Sequence, residues 1–329
     1  MILFFLPGWL FAQTDSTLQT IELDQQQPEI LITPSLSATL IGKNQWEVNI
    51  FNTLTTRDIE NTRITKNPLD NTNDTTITQD QFTRLDHILQ IQYGLPGRPR
   101  LNLGIDLYAS HLRADTNVHS SPFRVLGNNT EGVSRRDVTG LGPRVRWMPF
   151  RKVPELTIQG AVVFGLSKDL ATRQIYGRDR TQLLTQITFY QRFQPWLYTF
   201  MQMDVSVFLK NDDFQNNTLS IPLFLYASAN IWGLRSNAYP KVYGLISWFY
   251  AARYDDNIRG EAWLKKISYE SQMGLGLLSQ VSPRWGITFW AQKPVAHDLG
   301  SASNEVISGS WYTLSLGVRY HWIPKVARQ

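Results

Sequence analysis

The sequence predicts an all-β protein: a transmembrane antiparallel up-and-down β-barrel of twelve strands, with a neighbouring even number as the alternative. Three observations predict this fold. Apolar and polar residues alternate in twelve successive segments of about ten residues, as they do in membrane-spanning strands. Along the chain, long connections between the segments mostly alternate with short ones. Aromatic residues, which make up 12% of the chain, recur at the segment ends.

Each segment has apolar residues at every second position, which places them on one face of a strand. The seventh segment is the clearest, because Met201 and Met203 alternate with Gln202 and Asp204. An even number of strands lets both ends of the barrel lie on the same side of the membrane. In chain order, the segments cover residues 46–54, 85–93, 101–108, 141–147, 156–166, 183–189, 197–209, 219–231, 242–254, 269–281, 285–289 and 312–322.

The lengths of the connections distinguish the two sides of the membrane. Long connections outside and short connections inside are typical of bacterial outer-membrane barrels. The alternative, a secreted soluble β-sandwich or propeller, has no reason to separate its connections in this way. The predicted outer connections are residues 55–81, 111–137, 167–180, 210–217, 255–266 and 294–310. The predicted periplasmic connections are residues 94–100, 149–154, 194–196, 233–240 and 282–284.

Aromatic residues at the strand ends predict where the barrel meets the lipid headgroups. Their amphipathic rings favour the membrane interface, where one part of the ring is wet and the other is in contact with lipid. The pattern predicts a location in the bacterial outer membrane, with its lipid as a partner. The predicted periplasmic girdle consists of Trp46, Tyr93, Trp147, Trp285 and Trp322.

The end of the last predicted strand contains Gly317, Tyr320 and Trp322. The spacing of these three residues resembles that of the C-terminal signal of bacterial outer-membrane barrels. The resemblance implies that the barrel-insertion machinery is a partner of this chain. Residues 323–329 follow the signal and are predicted to form a C-terminal tail, whereas most such proteins end on the final aromatic residue.

The N-terminal part of the chain is predicted to precede the barrel wall, which residues 45–322 form. Residues 1–12 are largely apolar and predict a secretory signal peptide that is cut after Ala12; the alternative is a buried N-terminal strand. Residues 13–44 begin with a polar stretch and are predicted to form a periplasmic tail or a partial plug. The chain has no cysteine, which excludes disulfides, thiolate metal sites and a cysteine nucleophile.

A barrel of twelve strands has a lumen of intermediate width. Side chains fill the lumen of an eight-stranded barrel, whereas a sixteen-stranded barrel encloses a water channel. The inward residues carry both charges and many are aromatic, which predicts a narrow pore for a small anionic or amphipathic solute. The alternative is that the charges pair and, with the aromatic residues, fill the lumen. The predicted lumen-lining residues are Arg144, Arg146, Asp106, Asp204, Arg253 and Glu270.

A register is also predicted for the ninth and tenth strands. If Tyr254 pairs with Tyr269 on the lipid face, Arg253 lies directly opposite Glu270 on the lumen face. Opposite charges directly across two strands favour this alignment by roughly 0.2–1 kcal/mol.

Metal, cofactor and nucleic-acid binding are not expected. No cluster of His, Asp and Glu has the spacing of metal ligands, and no glycine-rich phosphate loop occurs. The net charge of +5 is modest, and no run of Lys and Arg with interleaved aromatic residues indicates a nucleic-acid surface.

Four short stretches, residues 47–52, 121–126, 140–146 and 149–152, resemble a known group of proteins. They are similar to uncharacterised outer-membrane β-barrel proteins of Bacteroidota and, more loosely, to transporter-like barrels of a phenol-degradation pathway. The resemblance covers the first five predicted strands best. It implies the barrel fold and assigns no functional residue, because that group has no established activity.

The sequence therefore predicts a channel or transporter for passive or facilitated diffusion of a small solute, rather than an enzyme, and it predicts no catalytic residue. The first alternative is a closed structural barrel that is a subunit of a larger envelope assembly. Such a barrel would bind protein partners through residues 55–81 and 111–137 or through its N-terminal tail. The second alternative, a surface hydrolase, would use His119 or His297, which have Ser or Asp neighbours in the chain.

Overall fold

The computed structural model describes residues 40–66, 73–98, 100–115, 120–127, 133–167, 180–194, 196–210, 217–233, 239–255, 265–298 and 305–323. The predicted signal peptide, most of the predicted tail or plug, and most of the C-terminal tail lie outside these residues. No helix in the described part of the chain is long and apolar enough to span a membrane.

Twelve antiparallel strands form one closed barrel, which confirms the predicted fold and strand number. Each strand pairs with its neighbours in the chain, and the last strand closes the barrel against the first. A short 3-10 helix, Pro122–Leu126, lies in the third connection. The strands are β1 (Trp46–Lys66), β2 (Asn73–Gly94), β3 (Leu101–Asp115), β4 (Val133–Trp147), β5 (Leu156–Gly165), β6 (Gln182–Gln194), β7 (Leu197–Phe208), β8 (Thr218–Trp232), β9 (Lys241–Asp255), β10 (Lys265–Gln280), β11 (Trp285–Asp298) and β12 (Glu305–Trp322).

The barrel wall is apolar outside and polar inside, which is the reverse of a soluble protein. On β4, Val145 is 41% exposed, whereas its neighbours Arg144 and Arg146 are 2% and 0% exposed. The alternation arises because successive side chains of a strand point to opposite faces. A closed strand ladder with an apolar outer band suits lipid, since no sheet edge faces the hydrocarbon unpaired. The protein is therefore a barrel of the bacterial outer membrane.

Aromatic residues meet at one rim of the barrel, the rim of the short connections. Trp46 pairs with Trp322 across the closing strands and with Tyr93 across β1 and β2, and the Trp46 and Tyr93 ring centroids lie 4.6 Å apart. Trp285 and Tyr320 form a second pair, also with 4.6 Å between centroids. Four tryptophans of this rim, Trp46, Trp147, Trp285 and Trp322, are 42–47% exposed.

The first two strands are much longer than predicted. β1 extends to Lys66 and β2 begins at Asn73, so most of the predicted connection 55–81 is a β-hairpin rather than a loop. This hairpin lacks an apolar period but is rich in threonine, whose branched side chain favours strands. The alternation of apolar and polar residues therefore ends before the two strands do.

The predicted register between β9 and β10 is wrong by two residues. Arg253 pairs with Ser268 rather than with Glu270, and a bulge in β10 precedes Ser268. The register follows the apolar pairs of the outer face, such as Trp248 with Met273, because several such contacts outweigh one exposed charge pair. A shift of two residues keeps every side chain on its face, so both charged residues stay on the lumen side.

The ladder between β4 and β5 is interrupted at Gly142 and Pro143. Pairing stops after Leu141 and resumes at Arg144. Pro143 has no N–H to donate to a ladder. A Cβ atom at Gly142 would lie 1.7 Å from the carbonyl oxygen of Val162, so only glycine fits here.

Gly142→Ala is expected to lower the free energy of unfolding by about 1–3 kcal/mol, because the added methyl group must displace the backbone of β5. The midpoint of urea unfolding in detergent micelles, followed by tryptophan fluorescence, measures this loss. Gly97→Ala is the matched control, since nothing lies within 4 Å of a Cβ atom there. Equal midpoints for the two variants would contradict the close approach of β5 to Gly142.

Candidate functional site in the barrel lumen

The barrel lumen has a polar side and an aromatic side. β1–β6 contribute mainly carboxylate, guanidinium, amide and hydroxyl groups, whereas β8–β11 carry most of the aromatic rings and β7 carries both kinds. The polar set is Glu47, Asn49, Gln90, Gln92, Asn102, Asp106, Arg144, Arg146, Gln159 and Gln186. The aromatic set is Tyr198, Phe200, Phe224, Tyr226, Phe249 and Trp290.

A hydrogen-bonded network connects the polar residues of β3 to β7. The Nε atom of Arg144 donates to both carboxylate oxygens of Asp106 at 2.8 Å, and its Nη2 atom donates to the same carboxylate. Arg144 Nη1 also donates to Gln159 Oε1 at 3.1 Å, and Gln159 Nε2 donates to Gln186 Oε1 at 2.7 Å. Gln186 Nε2 donates to Asp204 Oδ1 at 2.8 Å. Asp106 and Arg144 thus form a neutral pair that the wall holds in place.

Near the aromatic rim, Glu47 faces two arginines. Arg319 Nη2 lies 2.6 Å from Glu47 Oε2, and Arg146 Nη1 lies 3.6 Å from Glu47 Oε1. Asn49 Nδ2 donates to Glu47 Oε1 at 3.0 Å. The three charged side chains are at most 4% exposed. Because it holds two guanidinium groups, we call the group of Glu47, Arg146 and Arg319 the cationic cluster.

A second neutral pair lies farther from that rim, on β2. Arg84 Nε lies 2.8 Å from Asp86 Oδ2, and Ser110 Oγ donates to Asp86 Oδ1 at 2.5 Å. The side chain of Arg84 is 30% exposed, whereas that of Asp86 is 7% exposed. The two charges of this pair therefore balance, and the guanidinium group of Arg84 is partly hydrated.

The aromatic side is a layer of rings in mutual contact. Phe200 stacks on Tyr226 with 4.6 Å between ring centroids, and Tyr226 meets Trp290 edge to face at 5.7 Å. Both arrangements are favoured by the charge distribution of aromatic rings. Glycine at position 274 makes room for this layer, because a Cβ atom on Gly274 would lie 2.7 Å from the indole nitrogen of Trp290. The layer presents an apolar surface across the lumen from the polar network.

The chain just before β1 is fixed to the lumen side of the wall. The Ile41 backbone N–H donates to Asn102 Oδ1, and Asn102 Nδ2 donates to the Ile41 carbonyl, both at 3.1 Å. The Asn44 N–H donates to the Gly94 carbonyl at 2.9 Å. Ile41 and Asn102 are 2% and 1% exposed. The side-chain amide of Asn102 therefore holds buried Ile41 with both of its polar atoms.

The structure brings together some of the predicted lumen-lining residues and separates others. Three of the six share the network of β3 to β7, and Arg146 belongs to the cationic cluster. Arg253 lies on β9 and is exposed, and Glu270 lies on β10 and is partly buried. Glu47 and Arg319, which complete the cationic cluster, face inward by the same alternation but are not among those six residues.

The pairing of β1 with β12 brings these two residues to neighbouring strands. Trp46 pairs with Trp322, which places Glu47 opposite His321 and Asn49 opposite Arg319. Pairing the first and last tryptophans of the girdle is sufficient to bring these residues together. A prediction that treats each strand by itself does not use that constraint.

No group of three or more His, Asp or Glu residues in the described ranges could hold a metal ion. His297, one candidate of the hydrolase hypothesis, contacts the ring of Trp311 edge to face with 5.3 Å between centroids. This is a packing contact on the lumen face. The other candidate, His119, lies outside the described residues.

Comparisons with known proteins show the fold. No family model and no curated protein matches the chain. Among solved structures, an outer-membrane channel from Pseudomonas putida F1 is similar, with a TM-score of 0.55 at 10% identity over 89% of this chain and 100% of that one. The outer-membrane protein OmpT of Vibrio cholerae has a TM-score of 0.33 at 8% identity over 86% of this chain and 100% of that one. The first likeness shows that the closed barrel is a known membrane fold.

Proposed function

We propose that this protein is an outer-membrane channel for a small amphipathic solute, which it carries by passive or facilitated diffusion. The two-sided lumen is the observation that carries this proposal. A solute with polar and apolar parts keeps each part against the surface that suits it, as in binding sites that combine apolar walls with a few polar groups. The resemblance of the sequence to transporter-like barrels agrees with this function.

The two sides of the lumen replace water around such a solute. Gln159, Gln186 and Asp204 exchange hydrogen bonds with its polar part, while Tyr226 and Trp290 contact its apolar part. Several weak sites in series allow a solute both to enter and to leave. Net movement follows the concentration gradient, and no chemical step is required.

The segment before β1 is, in this proposal, the partial plug of the channel. Its described end, Ile41, is held by Asn102, and the lumen side chains beside it are almost completely buried. Residues 13–39 of the predicted tail or plug lie outside the described residues. Opening then requires that the contacts between Ile41 and Asn102 break.

Planar-bilayer recordings of the full-length protein test the channel proposal. We expect steady single-channel current steps, and faster uptake of amphipathic solutes than of sugars of equal size into liposomes that contain the protein. A protein that is correctly folded but gives neither current nor uptake, in the wild type and in Asn102→Ala, contradicts the proposal.

Asn102→Ala is expected to raise the open fraction of the channel about tenfold, because it removes two hydrogen bonds that are each worth roughly 0.5–1.5 kcal/mol. The open fraction is read directly from the single-channel recordings. Thr288→Ala is the control, since Thr288 is also a buried lumen residue but lies on β11 opposite Gly317 of β12, whereas Asn102 lies on β3. Equal open fractions in Asn102→Ala and the wild type would show that Ile41 does not limit conduction.

A closed barrel that is a subunit of an envelope assembly is the second candidate. The burial of Glu47 and Arg146, both 0% exposed, favours it. Its binding surface would include the 3-10 helix, where Phe123 and Leu126 are 59% and 56% exposed. Such a barrel conducts in no variant, and it co-purifies from membranes with a partner protein in fixed stoichiometry.

A further inference from the structure

The short 3-10 helix of the third connection packs on the lipid-facing side of the barrel wall. Its buried residue, Val125, packs with Leu54 and Leu85. Leu54 lies on the same face of β1 as Trp46, because the two are an even number of residues apart. Trp46 belongs to the exposed aromatic rim, so this face meets the lipid. We call residues 120–127, which include the helix, the strap.

The strap lies near the boundary between acyl chains and headgroups. The step from Trp46 to Leu54 covers roughly 27 Å along β1. Because strands tilt by about 35–45° in such barrels, this step rises roughly 20 Å within an apolar band about 25 Å tall. Beyond Leu54 the same face carries Thr56 and Thr83, whose hydroxyl oxygens lie 3.0 Å apart. The apolar band therefore ends at the level of the strap, on the rim of the long connections.

A patch of polar side chains lies beside the strap on this face. His111 pairs with Leu85 on one side and with Arg136 on the other, so all three point towards the lipid. The ring of His111 meets that of His87 edge to face, with 5.0 Å between centroids, and His87 Nδ1 donates to Asn52 Oδ1 at 2.6 Å. Polar groups on the lipid-facing side are least costly near the headgroups. We call this set the outer patch: Asn52, His87, His111 and Arg136.

Arg136 provides the positive charge of the outer patch. Its Nη2 atom donates to the carbonyl oxygens of Leu126 and Gly127 at 3.1 and 2.9 Å, which ties the strap to β4. The side chain is exposed, and its Nε and Nη1 atoms make no hydrogen bond with the residues that the structure describes. Beside it, His111 Nδ1 also makes none within these ranges. Exposed guanidinium donors at the level of the headgroups favour an anionic group with oxygen acceptors.

Another arginine of this face, Arg113, provides a contrast. Arg113 is 1% exposed and donates to both carboxylate oxygens of Asp115, at 2.7 and 2.8 Å. Arg136 forms no ion pair with any residue in the described part of the chain. Of these two arginines, Arg136 is therefore the one that is placed to receive an anionic ligand.

An apolar pocket of about 260 Å³ lies on the same side of the wall, closer to the middle of the membrane. It forms where the ladder between β4 and β5 is interrupted at Pro143. Val138 and Leu141 follow Arg136 on the lipid-facing side of β4. The step from Arg136 to Leu141 spans roughly 15 Å, about the depth of the hydrocarbon of one leaflet. The side chains that line the pocket are those of Ile105, Leu141, Pro143, Phe164 and Leu166.

We propose that the strap, the outer patch and this pocket bind a phosphate-bearing lipid of the outer leaflet. Arg136 holds the phosphate by charge-assisted hydrogen bonds, and His111 lies beside it as a second polar partner. One acyl chain runs over Val138 into the pocket. Another contacts Phe123 of the strap, which is 59% exposed. The site lies outside the lumen, so it does not depend on whether the barrel conducts.

A partner protein is the competing occupant of the strap. A stable protein interface buries about 800 Å² on each partner. The exposed apolar surface beside the strap continues into Val138 and Leu141, which belong to the apolar band and already face hydrocarbon. A lipid fits this surface because the order of its parts, a charged end and then an apolar chain, matches the order of Arg136 and the pocket along β4.

Two lipids with identical acyl chains, dioleoylphosphatidate and dioleoylglycerol, test the proposal, because only the first carries a phosphate. Native mass spectrometry of the full-length protein in detergent measures the binding of each. We expect the phosphatidate to bind at least about tenfold more tightly. Inorganic phosphate, which has no acyl chains, is expected to leave phosphatidate binding unchanged at equal concentration. Equal affinities for the two lipids, or displacement of the phosphatidate by inorganic phosphate, would overturn the proposal.

Arg136→Gln is expected to weaken phosphatidate binding about tenfold and to leave dioleoylglycerol binding unchanged. Arg136→Lys keeps the charge and is expected to lie between this variant and the wild type. Arg253→Gln is the matched control, because it removes the same charge from an exposed position on the lumen side. Electrophoretic mobility with and without heating verifies that each variant is folded. Wild-type affinity for the phosphatidate in folded Arg136→Gln would overturn the proposal.

Phe123→Ser is expected to weaken the binding of both lipids about threefold, because it removes a contact with the acyl chains and leaves the charge in place. Phe150→Ser is the matched control, since Phe150 is 57% exposed in the short connection between β4 and β5. A loss for Phe123→Ser no greater than that for Phe150→Ser would remove the strap from the site. A partner protein that stays bound to the strap in saturating phosphatidate would overturn the proposal.

Discussion

Asp106→Ala is expected to lower the free energy of unfolding by about 3–5 kcal/mol, the usual cost of removing one partner from a buried ion pair. The variant leaves Arg144 charged in a place where it is 2% exposed. The variant also removes the carboxylate that accepts three hydrogen bonds from Arg144. Water has little access to this position, so hydration does not replace the carboxylate. The midpoint of urea unfolding in micelles measures the loss.

Asp86→Ala is the matched control, because it also removes a carboxylate that pairs with an arginine on the lumen face. The side chain of Arg84 is 30% exposed and is hydrated when its partner is removed. The expected loss is therefore about 1 kcal/mol or less. A loss at Asp106 no greater than the loss at Asp86 would show that burial does not govern the stability of these pairs.

Replacing both partners separates the cost of an unmatched charge from the contribution of the pair. Asp106→Leu with Arg144→Met is expected to recover most of the lost free energy, since a buried ion pair contributes little over apolar side chains of similar volume. A double variant as unstable as Asp106→Ala would instead assign the stability to the network that continues through Gln159 and Gln186.

Period-two alternation predicts the fold well because lipid on one face and the lumen on the other impose it on every strand that crosses the membrane. On β7, Met201 and Met203 are 41% and 36% exposed, whereas Gln202 between them is 1% exposed. The same argument explains the main error of the prediction. Beyond the lipid the two faces no longer differ in solvent, so the pattern does not mark the extension of β1 to Lys66 or the start of β2 at Asn73.

Contacts across the lumen are harder to predict, because they depend on distance as well as on the face of the strand. The position of Arg146 in its strand predicts that it faces inward. Its contact with Glu47 of β1 also requires that the side chain pass the intervening strands β2 and β3. Glycine at position 104, opposite Arg144, leaves space in that part of the wall. Alternation along a strand does not report such distances, and neither does it report a bulge such as that before Ser268.

Arg144→Glu with Arg146→Glu is expected to raise the permeability ratio of potassium over chloride at least about tenfold. The wild type places these two guanidinium groups beside the carboxylates of Asp106 and Glu47. The double variant places four carboxylates there instead. Two unit charges at about 4 Å interact with roughly 4 kcal/mol at an effective dielectric constant of 20. A tenfold preference needs only about 1.4 kcal/mol.

The reversal potential in a potassium chloride gradient across a planar bilayer measures this ratio. Arg253→Glu with Arg284→Glu reverses two exposed charges instead and is expected to have a small effect, since water and salt screen them. Arg146→Gln keeps the pair of Asp106 and Arg144 and is expected to shift the ratio in the same direction by a smaller amount. An unchanged reversal potential in folded variants would place both arginines outside the ion path. The polar network would then stabilise the wall without selecting what crosses it, as a closed structural barrel requires.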